Sequence, residues 1–397
     1  MKGMFRMTNF EFHTPTKVYF GSGEEKRVGQ IIKEYGFQKV LLHYGKGSVI
    51  KSGLYDTVVA SLRENDIAFV ELGGVEPNPK LSLVKVGCEL ARSEQVDFIL
   101  SIGGGSALDS AKAIASCSQH DCDPWLICSK KVVPTKAIPV GCILTLAATG
   151  SEMSSSAVIT NDETLIKRGF NSPFNRPLFS IMNPELTYTL PPYQTACGIV
   201  DIMMHTLERY LTKKGEAPLT DRIAESVLKS TVESGKIAME DPTNYDARAT
   251  LMWAGSLSHN DLTGVGRPYF MVCHQLEHEM SGLYDHIAHG AGLACIFPAW
   301  AKYACKDNVG RFAQYAVRVW NCEMNYADPM QTAMEGIEKT EAFFKSIGMP
   351  VRMSELGVKR EDIPVMSEKC TNFGTRVLPT YQDYTEKEIA EVFELAL

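Results

Sequence analysis

The feature that most constrains this chain is a change of rhythm at Leu190-Pro191-Pro192. Before it, short apolar runs of β type alternate with helical stretches, as at 39–44 (KVLLHY), 98–102 (FILSI) and 137–146 (AIPVGCILTL). Each run leads into a glycine-rich or small-residue turn and then into apolar residues at helical spacing. Strands that are apolar throughout suit a parallel sheet covered on both faces, so the pattern predicts βαβ units in an open sheet. Residues 10–20 (FEFHTPTKVYF) alternate with period two around Pro15, and they predict a hairpin at a sheet edge. After the double proline only helical periodicity remains, for example over 196–211, 218–239 and 330–347. Proline lacks an N–H and has its φ preset for a first helical turn, so the pair marks both a helix entry and a domain boundary. The expected organisation is an α/β domain over 1–190 and an all-helical domain over 191–397.

Composition narrows the functional classes. At ~150 residues per domain, 397 residues allow roughly two to three domains. With 45% hydrophobic and 22% charged residues, the chain is neither disordered nor fibrous. A net charge of −7 without any run of Lys or Arg argues against nucleic acid as a partner. No stretch of ~18 apolar residues predicts a membrane span. The start of the chain has no apolar segment typical of a signal peptide, so none is expected. Eleven cysteines, an odd number without a C-x-x-C pair, read as reduced thiols and a cytoplasmic location.

Two turns carry the signature of a nucleotide site. The run 98–102 enters Gly103-Gly104-Gly105-Ser106 and then a helix start, Ala107-Leu108-Asp109. Glycines there let backbone N–H groups approach a phosphate at a helix N-terminus. The third glycine of G-x-G-x-x-G is missing, since position 108 is Leu, and no Walker loop follows. A ligand-free strand-to-helix turn is the bland alternative. The next strand ends in a second small-residue turn, Thr145-Leu146-Ala147-Ala148-Thr149-Gly150-Ser151-Glu152, and two such turns at successive strand ends favour a nucleotide crevice.

The helical half carries an Asp/His cluster. Asp201 and His205 lie four apart, on one helix face that Glu208 continues. Ile199, Val200, Ile202, Met203, Met204 and Leu207 surround them, so this helix is buried, and a buried aspartate needs a partner. Either a cation or a neighbouring histidine would serve. His274, His278, His286 and His289 then fall within sixteen residues. The His274–His278 spacing is superficially that of a zinc protease, but Gln275 stands where that motif needs Glu. Asp and His without a thiolate suit a borderline divalent ion such as Fe²⁺ or Zn²⁺.

Taken together, GGGSALDSAK, the T-x-x-A-T-G-S-E turn, G-x-x-D-x-x-x-H and H-x-x-x-H-E…HGAGLA resemble the iron-containing (group III) alcohol dehydrogenase family. The resemblance runs over roughly residues 10 to 390. The stretch 41–56 (LLHYGKGSVIKSGLYD) is most similar to its butanol dehydrogenase and NADPH-dependent aldehyde reductase branch. It implies a Rossmann-like N-terminal domain, an all-α C-terminal domain as in dehydroquinate synthase-like architectures, and an active site between them. The metal ligands it implies are Asp201, His205, His274 and His289. Coenzyme contacts would come from Gly103, Gly104, Gly105, Ser106, Asp109, Thr145, Leu146, Thr149 and Lys167. His278 would lie near the nicotinamide, as a proton relay or as an orienting residue. His274 and His289 are one residue further apart than is usual in the family, and the longer loop supplies a rival ligand, His286. His289 is preferred because it directly precedes Gly290-Ala291-Gly292. Ala148, where many members carry Gly, is a minor departure.

The implied reaction is hydride transfer between a nicotinamide and a small alcohol or aldehyde such as butanol or butanal, with the metal as Lewis acid. Two other readings compete. A dehydroquinate synthase-type lyase would bind a polyanion, yet Arg267 is the only Lys or Arg between Asp261 and Ala301. A dinucleotide or metal sensor would bind without turnover. NADP(H) is expected to be preferred over NAD(H): Gly45 stands where NAD-preferring relatives often carry Asp, and Lys46, Gly47 and Ser48 offer a charge, a bare N–H and a hydroxyl. A homodimer is expected through the 10–20 segment, because an open sheet edge invites pairing. Tyr269, Phe270, Trp253 and Tyr284 could shape an apolar substrate pocket or simply be core.

Overall fold

A computed structural model describes residues 7–212 and 217–397. The chain divides into two compact units, residues 13–190 and a second unit of 191–397 joined by residues 7–12. The helical unit resumes at Pro191, within the double proline. The N-terminal stretch departs from the expected division: Thr8 N–H donates to the Gly266 carbonyl at 2.9 Å, so 7–12 belong with the helical unit.

In the first unit the strands are β1 (Lys17–Phe20), β2 (Lys39–Gly45), β3 (Ala68–Val75), β4 (Phe98–Gly103), β5 (Val140–Leu144), β6 (Ser156–Asn161), β7 (Ile166–Asn171) and β8 (Phe179–Met182). Six form one parallel sheet in the order β1-β8-β5-β4-β2-β3, while β6 and β7 pair apart as an antiparallel hairpin. Side-chain alternation divides the apolar strands between two cores. Val40, Leu42, Phe98, Leu100 and Ile102 pack with helices Val28–Glu34 and Leu54–Glu64. Leu41, Ile99, Val140 and Cys142 pack on the other face with helices Leu81–Ser93 and Gly105–Cys117. From β2 the chain moves outward to β3, then crosses back to β4 on the opposite side of β2. The carboxyl ends of β2 and β4 therefore flank a topological switch point, where open α/β sheets bind ligands.

The expected hairpin over 10–20 does not form. Only Lys17–Phe20 is a strand, and it runs parallel to β8 at the sheet edge; residues 7–16 carry no strand. Pro15 cannot donate to a ladder, and the period-two pattern before it lies largely exposed rather than half-buried. The β6–β7 hairpin was not expected from the sequence.

His43 couples this fold to pH. It is fully buried on β2, with Nδ1 donating to the Leu72 carbonyl at 2.8 Å and Nε2 accepting from the Ser110 hydroxyl at 2.8 Å. That pairing suits a neutral ring, and burial pushes its pKa down to about 4. Below its ordinary value of 6.5 the unfolded chain takes up a proton that the folded chain refuses. The stabilisation is complete above that value and is lost as pH falls towards about 4, a change of about 3 kcal/mol. Denaturant unfolding should show a shallower acid dependence for His43→Leu than for the wild type; parallel profiles would remove His43 as the cause.

In the second unit, Pro192 opens the helix Pro192–Tyr210, followed by Pro218–Glu240, Tyr245–His259, Val272–Leu283, His289–Ala304 and others to the C-terminus. No strand occurs here among the described residues. No helix among the described residues is long and apolar enough to cross a membrane. A Cβ on Gly290 would lie 2.2 Å from the Cys197 carbonyl oxygen. Glycine at this position thus lets His289–Ala304 approach the backbone of Pro192–Tyr210 one turn before Asp201.

Candidate active site

The helical unit gathers four of the expected residues. Asp201 and His205 come from Pro192–Tyr210, His274 from Val272–Leu283, and His289 is the first residue of its helix. Asp201 Oδ1 lies 3.1 Å from His205 Nδ1, 3.5 Å from His274 Nε2 and 3.9 Å from His289 Nε2. Ligand bonds of about 2.0–2.2 Å around one ion place donor atoms roughly 3–3.5 Å apart, a range that His274 Nε2 meets and His289 Nε2 approaches, so the set suits a divalent metal with His205 ligating through Nε2. The polar accounting agrees. The His205 Nδ1 hydrogen goes to the Asp201 main-chain carbonyl at 2.9 Å. Asp201 Oδ1 and His274 Nε2 are then buried without a hydrogen-bond partner. Two orphaned atoms facing each other in a protein interior call for a cation.

The electrostatics point the same way. Burial alone would raise the Asp201 carboxyl, but His205, His274 and His289 hold it well below the usual carboxylate range. Burial lowers His205 to about 4, which keeps its ring in the neutral form that ligates metals. His274 is pushed up to about 9, since Glu208 and Asp201 outweigh its burial. Positive charge is thus drawn to the His274 side of the pocket.

His278 is one turn from His274, and its ring stands 5.6 Å from that of His289 and 6.5 Å from that of His274. A donor atom of His278 also groups with Glu277 and His289 within 4.8 Å. His286 goes elsewhere: it is exposed, with Nε2 3.4 Å from the Leu356 carbonyl. The loop before His289 thus presents a surface histidine and leaves His289 with the cluster. Three neighbours of the site have no role assigned from sequence, although Glu208 continues the Asp201/His205 face. Glu208 contacts His274 Nδ1, Glu277 contacts His289 Nδ1, and the His259 ring stacks on His205 with centroids 4.0 Å apart. A signal existed for the two glutamates, each standing three residues after a cluster histidine on the same helix.

In the α/β unit the two small-residue turns come together. Thr145 N–H donates to the Gly103 carbonyl at 3.0 Å, continuing the β4–β5 pairing into the turn. A Cβ on Gly104 would lie 3.1 Å from Leu146, and one on Gly105 2.4 Å from Thr149, so the missing side chains are what let the turns close. Ser106 follows, in the first turn of Gly105–Cys117. Gly45 ends β2, and Gly47 and Ser48 lead into the next helical turn. Three expected contacts are otherwise engaged. Asp109 accepts from the Ser151 hydroxyl at 2.6 Å and from Val158 N–H at 2.9 Å. One turn on, buried Lys112 donates to the Ser151, Ser154 and Ser156 carbonyls at 2.7, 3.0 and 2.9 Å. Together they clamp the segment after β5 to the glycine-loop helix. Lys167 donates to Asn78 Oδ1 at 2.9 Å, and exposed Lys46 pairs with Glu76.

A parallel α/β sheet, paired glycine turns and an Asp/His₃ cluster are together what a metal-dependent dinucleotide enzyme would need. Residues 15–184 match the iron-containing alcohol dehydrogenase family, and residues 195–397 match the C-terminal domain of the Fe-containing alcohol dehydrogenase family. The chain belongs to this family and is an enzyme of the alcohol dehydrogenase/aldehyde reductase class. It is 41% identical to NADH-dependent butanol dehydrogenase A of Clostridium acetobutylicum, over 98% of this chain and 99% of that one. It is 38% identical to the NADPH-dependent aldehyde reductase YqhD of Escherichia coli, over 98% and 100%. The crystal structure of NADH-dependent butanol dehydrogenase A from Thermotoga maritima superposes with a TM-score of 0.95, at 37% identity, covering 99% of this chain and 100% of that one. These matches set aside the lyase and sensor readings.

Proposed function

We propose that this protein reduces short aldehydes such as butanal, and oxidises the corresponding alcohols, using a divalent ion held by Asp201, His205, His274 and His289. The observation that carries this reading is the pair of partnerless buried atoms, Asp201 Oδ1 and His274 Nε2, inside that ring of donors. When bound, Fe²⁺ or Zn²⁺ supplies Lewis-acid polarisation of a carbonyl or alkoxide oxygen, and the nicotinamide supplies or accepts the hydride. Asp201 contributes the negative charge of the site, and three imidazoles complete the donor set. His278 holds and releases the proton exchanged with the substrate oxygen, a role suited to an imidazole beside the donor set. Gly103, Gly104, Gly105 and Ser106 hold the coenzyme phosphates at the start of Gly105–Cys117, with Thr145, Leu146 and Thr149 beside them. Aldehyde-dependent oxidation of the reduced coenzyme by the purified enzyme, across a panel of linear, branched and diol-derived aldehydes, tests the substrate class. Equal rates with all of them would refute selection of short linear chains.

The coenzyme preference proposed is NADP(H), read by Gly45, Lys46, Gly47 and Ser48. No acidic side chain ends β2, which leaves room for a 2′-phosphate. Relatives named for NADH and for NADPH both occur at similar identity. Glu76 competes for Lys46 here, so the two residues should act in opposite directions. Lys46→Ala is expected to narrow the NADP(H) preference and Glu76→Gln to widen it, each by roughly tenfold. An equal or better kcat/KM with NADH in the wild type would refute the reading.

A cytoplasmic homodimer completes the proposal. All eleven cysteines are free thiols, most of them buried, which suits a reducing compartment. Strand β1 forms a sheet edge and its Phe20 is exposed, as are Phe10 and Phe12 in the stretch before it in sequence. Light scattering is expected to give twice the 43.9 kDa chain mass or a multiple of it; a clean monomer mass would remove the dimer.

A further inference from the structure

Each of two cluster histidines is gripped from behind by a buried carboxylate. Glu208 is on the same helix as Asp201, two turns on. One of its oxygens contacts His274 Nδ1 and the other accepts the Cys273 N–H, so it fixes both the ring and the helix start that carries it. Glu277, from the His274 helix, does the same for the next one: its Oε2 contacts Nδ1 of His289. Both glutamates are almost completely buried. The two nitrogens of an imidazole point in opposite directions. With Nδ1 of His274 and His289 turned to these carboxylates, the Nε2 atoms are the ones that face Asp201, at 3.5 and 3.9 Å. Glu208 and Glu277 therefore stand outside the donor ring.

We infer that Glu208 and Glu277 are positioning residues that fix His274 and His289 as Nε2 ligands and strengthen their grip on the divalent ion. This rests on the metal-site reading above. A carboxylate accepting Nδ1–H sets the tautomer and ring orientation of a ligating histidine, and it makes Nε2 a stronger donor. His205 Nδ1 instead donates to the Asp201 main-chain carbonyl, with Asp201 Oδ1 at 3.1 Å, so the two glutamates back the histidines brought in from other helices. Gly292 belongs to the same device. A Cβ there would come 2.6 Å from Met280 Cε, 2.8 Å from Glu277 Cγ and 3.1 Å from Glu277 Oε1, so glycine leaves room for both side chains, the carboxylate included.

The test is chelator competition for Zn²⁺ on the full-length protein, comparing wild type, Glu208→Gln, Glu277→Gln and Gly292→Ala. The two glutamine variants keep side-chain shape and remove the charge, and Gly292→Ala keeps the charge and displaces it. Each is expected to weaken Zn²⁺ binding by about 10–100-fold, with the coenzyme dissociation constant unchanged. Proton NMR of the Zn²⁺ form should show two strongly deshielded imidazole Nδ1–H signals. One should be lost in Glu208→Gln and the other in Glu277→Gln. Wild-type affinity in both glutamine variants, with the wild type binding one ion, would overturn the positioning role while leaving the metal site standing. A wild type that binds no ion would overturn the metal-site reading and this inference together. Should a glutamine variant not fold, Gly292→Ala and the other variant still decide.

Discussion

Replacing His289 by alanine is expected to leave a protein that no longer retains its divalent ion and turns over aldehyde roughly a thousandfold more slowly. The expectation follows from the place of His289 in the donor set, with Nε2 facing Asp201 and Nδ1 held by Glu277. Losing Lewis-acid stabilisation of a developing alkoxide costs several kcal/mol, and about 4 kcal/mol corresponds to three orders of magnitude in rate. His205→Ala should behave in the same way. His286→Ala is the control: it removes a histidine of similar sequence position whose ring faces the Leu356 carbonyl, and both metal and turnover should persist. Elemental analysis beside the rate assay separates these outcomes. Metal retained by His289→Ala and lost from His286→Ala would reverse the assignment.

Gly105→Val should act on the coenzyme and spare the metal. The added Cβ would fall 2.4 Å from the Thr149 side chain, closer than any packing tolerates, so the two turns must part. Forcing extra atoms into a packed contact costs about 1–3 kcal/mol. Expressed in binding, that is roughly a tenfold to hundredfold rise in the coenzyme dissociation constant. Nicotinamide fluorescence measures it directly. Metal content should be unchanged, because the donor set is built wholly within the helical unit. Unaltered coenzyme affinity in a folded Gly105→Val protein would show that the close approach of these turns does not serve the nucleotide.

Much of this was legible in the sequence, for physical reasons. The strands at 39–44 and 98–102 are apolar throughout because both faces of the sheet are covered, and that pattern has few other causes. The Asp201/His205 pair could be read because helical spacing fixes which residues share a face. His289 could be favoured over His286 from its glycines, and the close approach of Gly290 to Cys197 supplies the cause. The failures are equally physical. Period-two alternation over 10–20 suggested a hairpin, yet alternation says nothing of the partner, and the segment splits between an edge strand and the helical unit. Lys46 and Asp109 were assigned to the coenzyme by type and position. Their present partners, Glu76 and Ser151 with Val158, are distant in sequence and invisible without the fold. Glu208 and Glu277 stood in plain view, each three residues after a cluster histidine, but which histidine each one holds depends on helix packing.

A divalent ion bound at Asp201, His205, His274 and His289 should be required for coenzyme-linked aldehyde reduction. The most direct measurement is nicotinamide absorbance with butanal, using enzyme as purified, enzyme stripped by a chelator, and stripped enzyme given back Fe²⁺ or Zn²⁺. The account predicts one ion per chain, turnover abolished on stripping with coenzyme binding intact, and turnover restored by at least one of the two ions. Full aldehyde reduction by enzyme shown to contain no metal would contradict it.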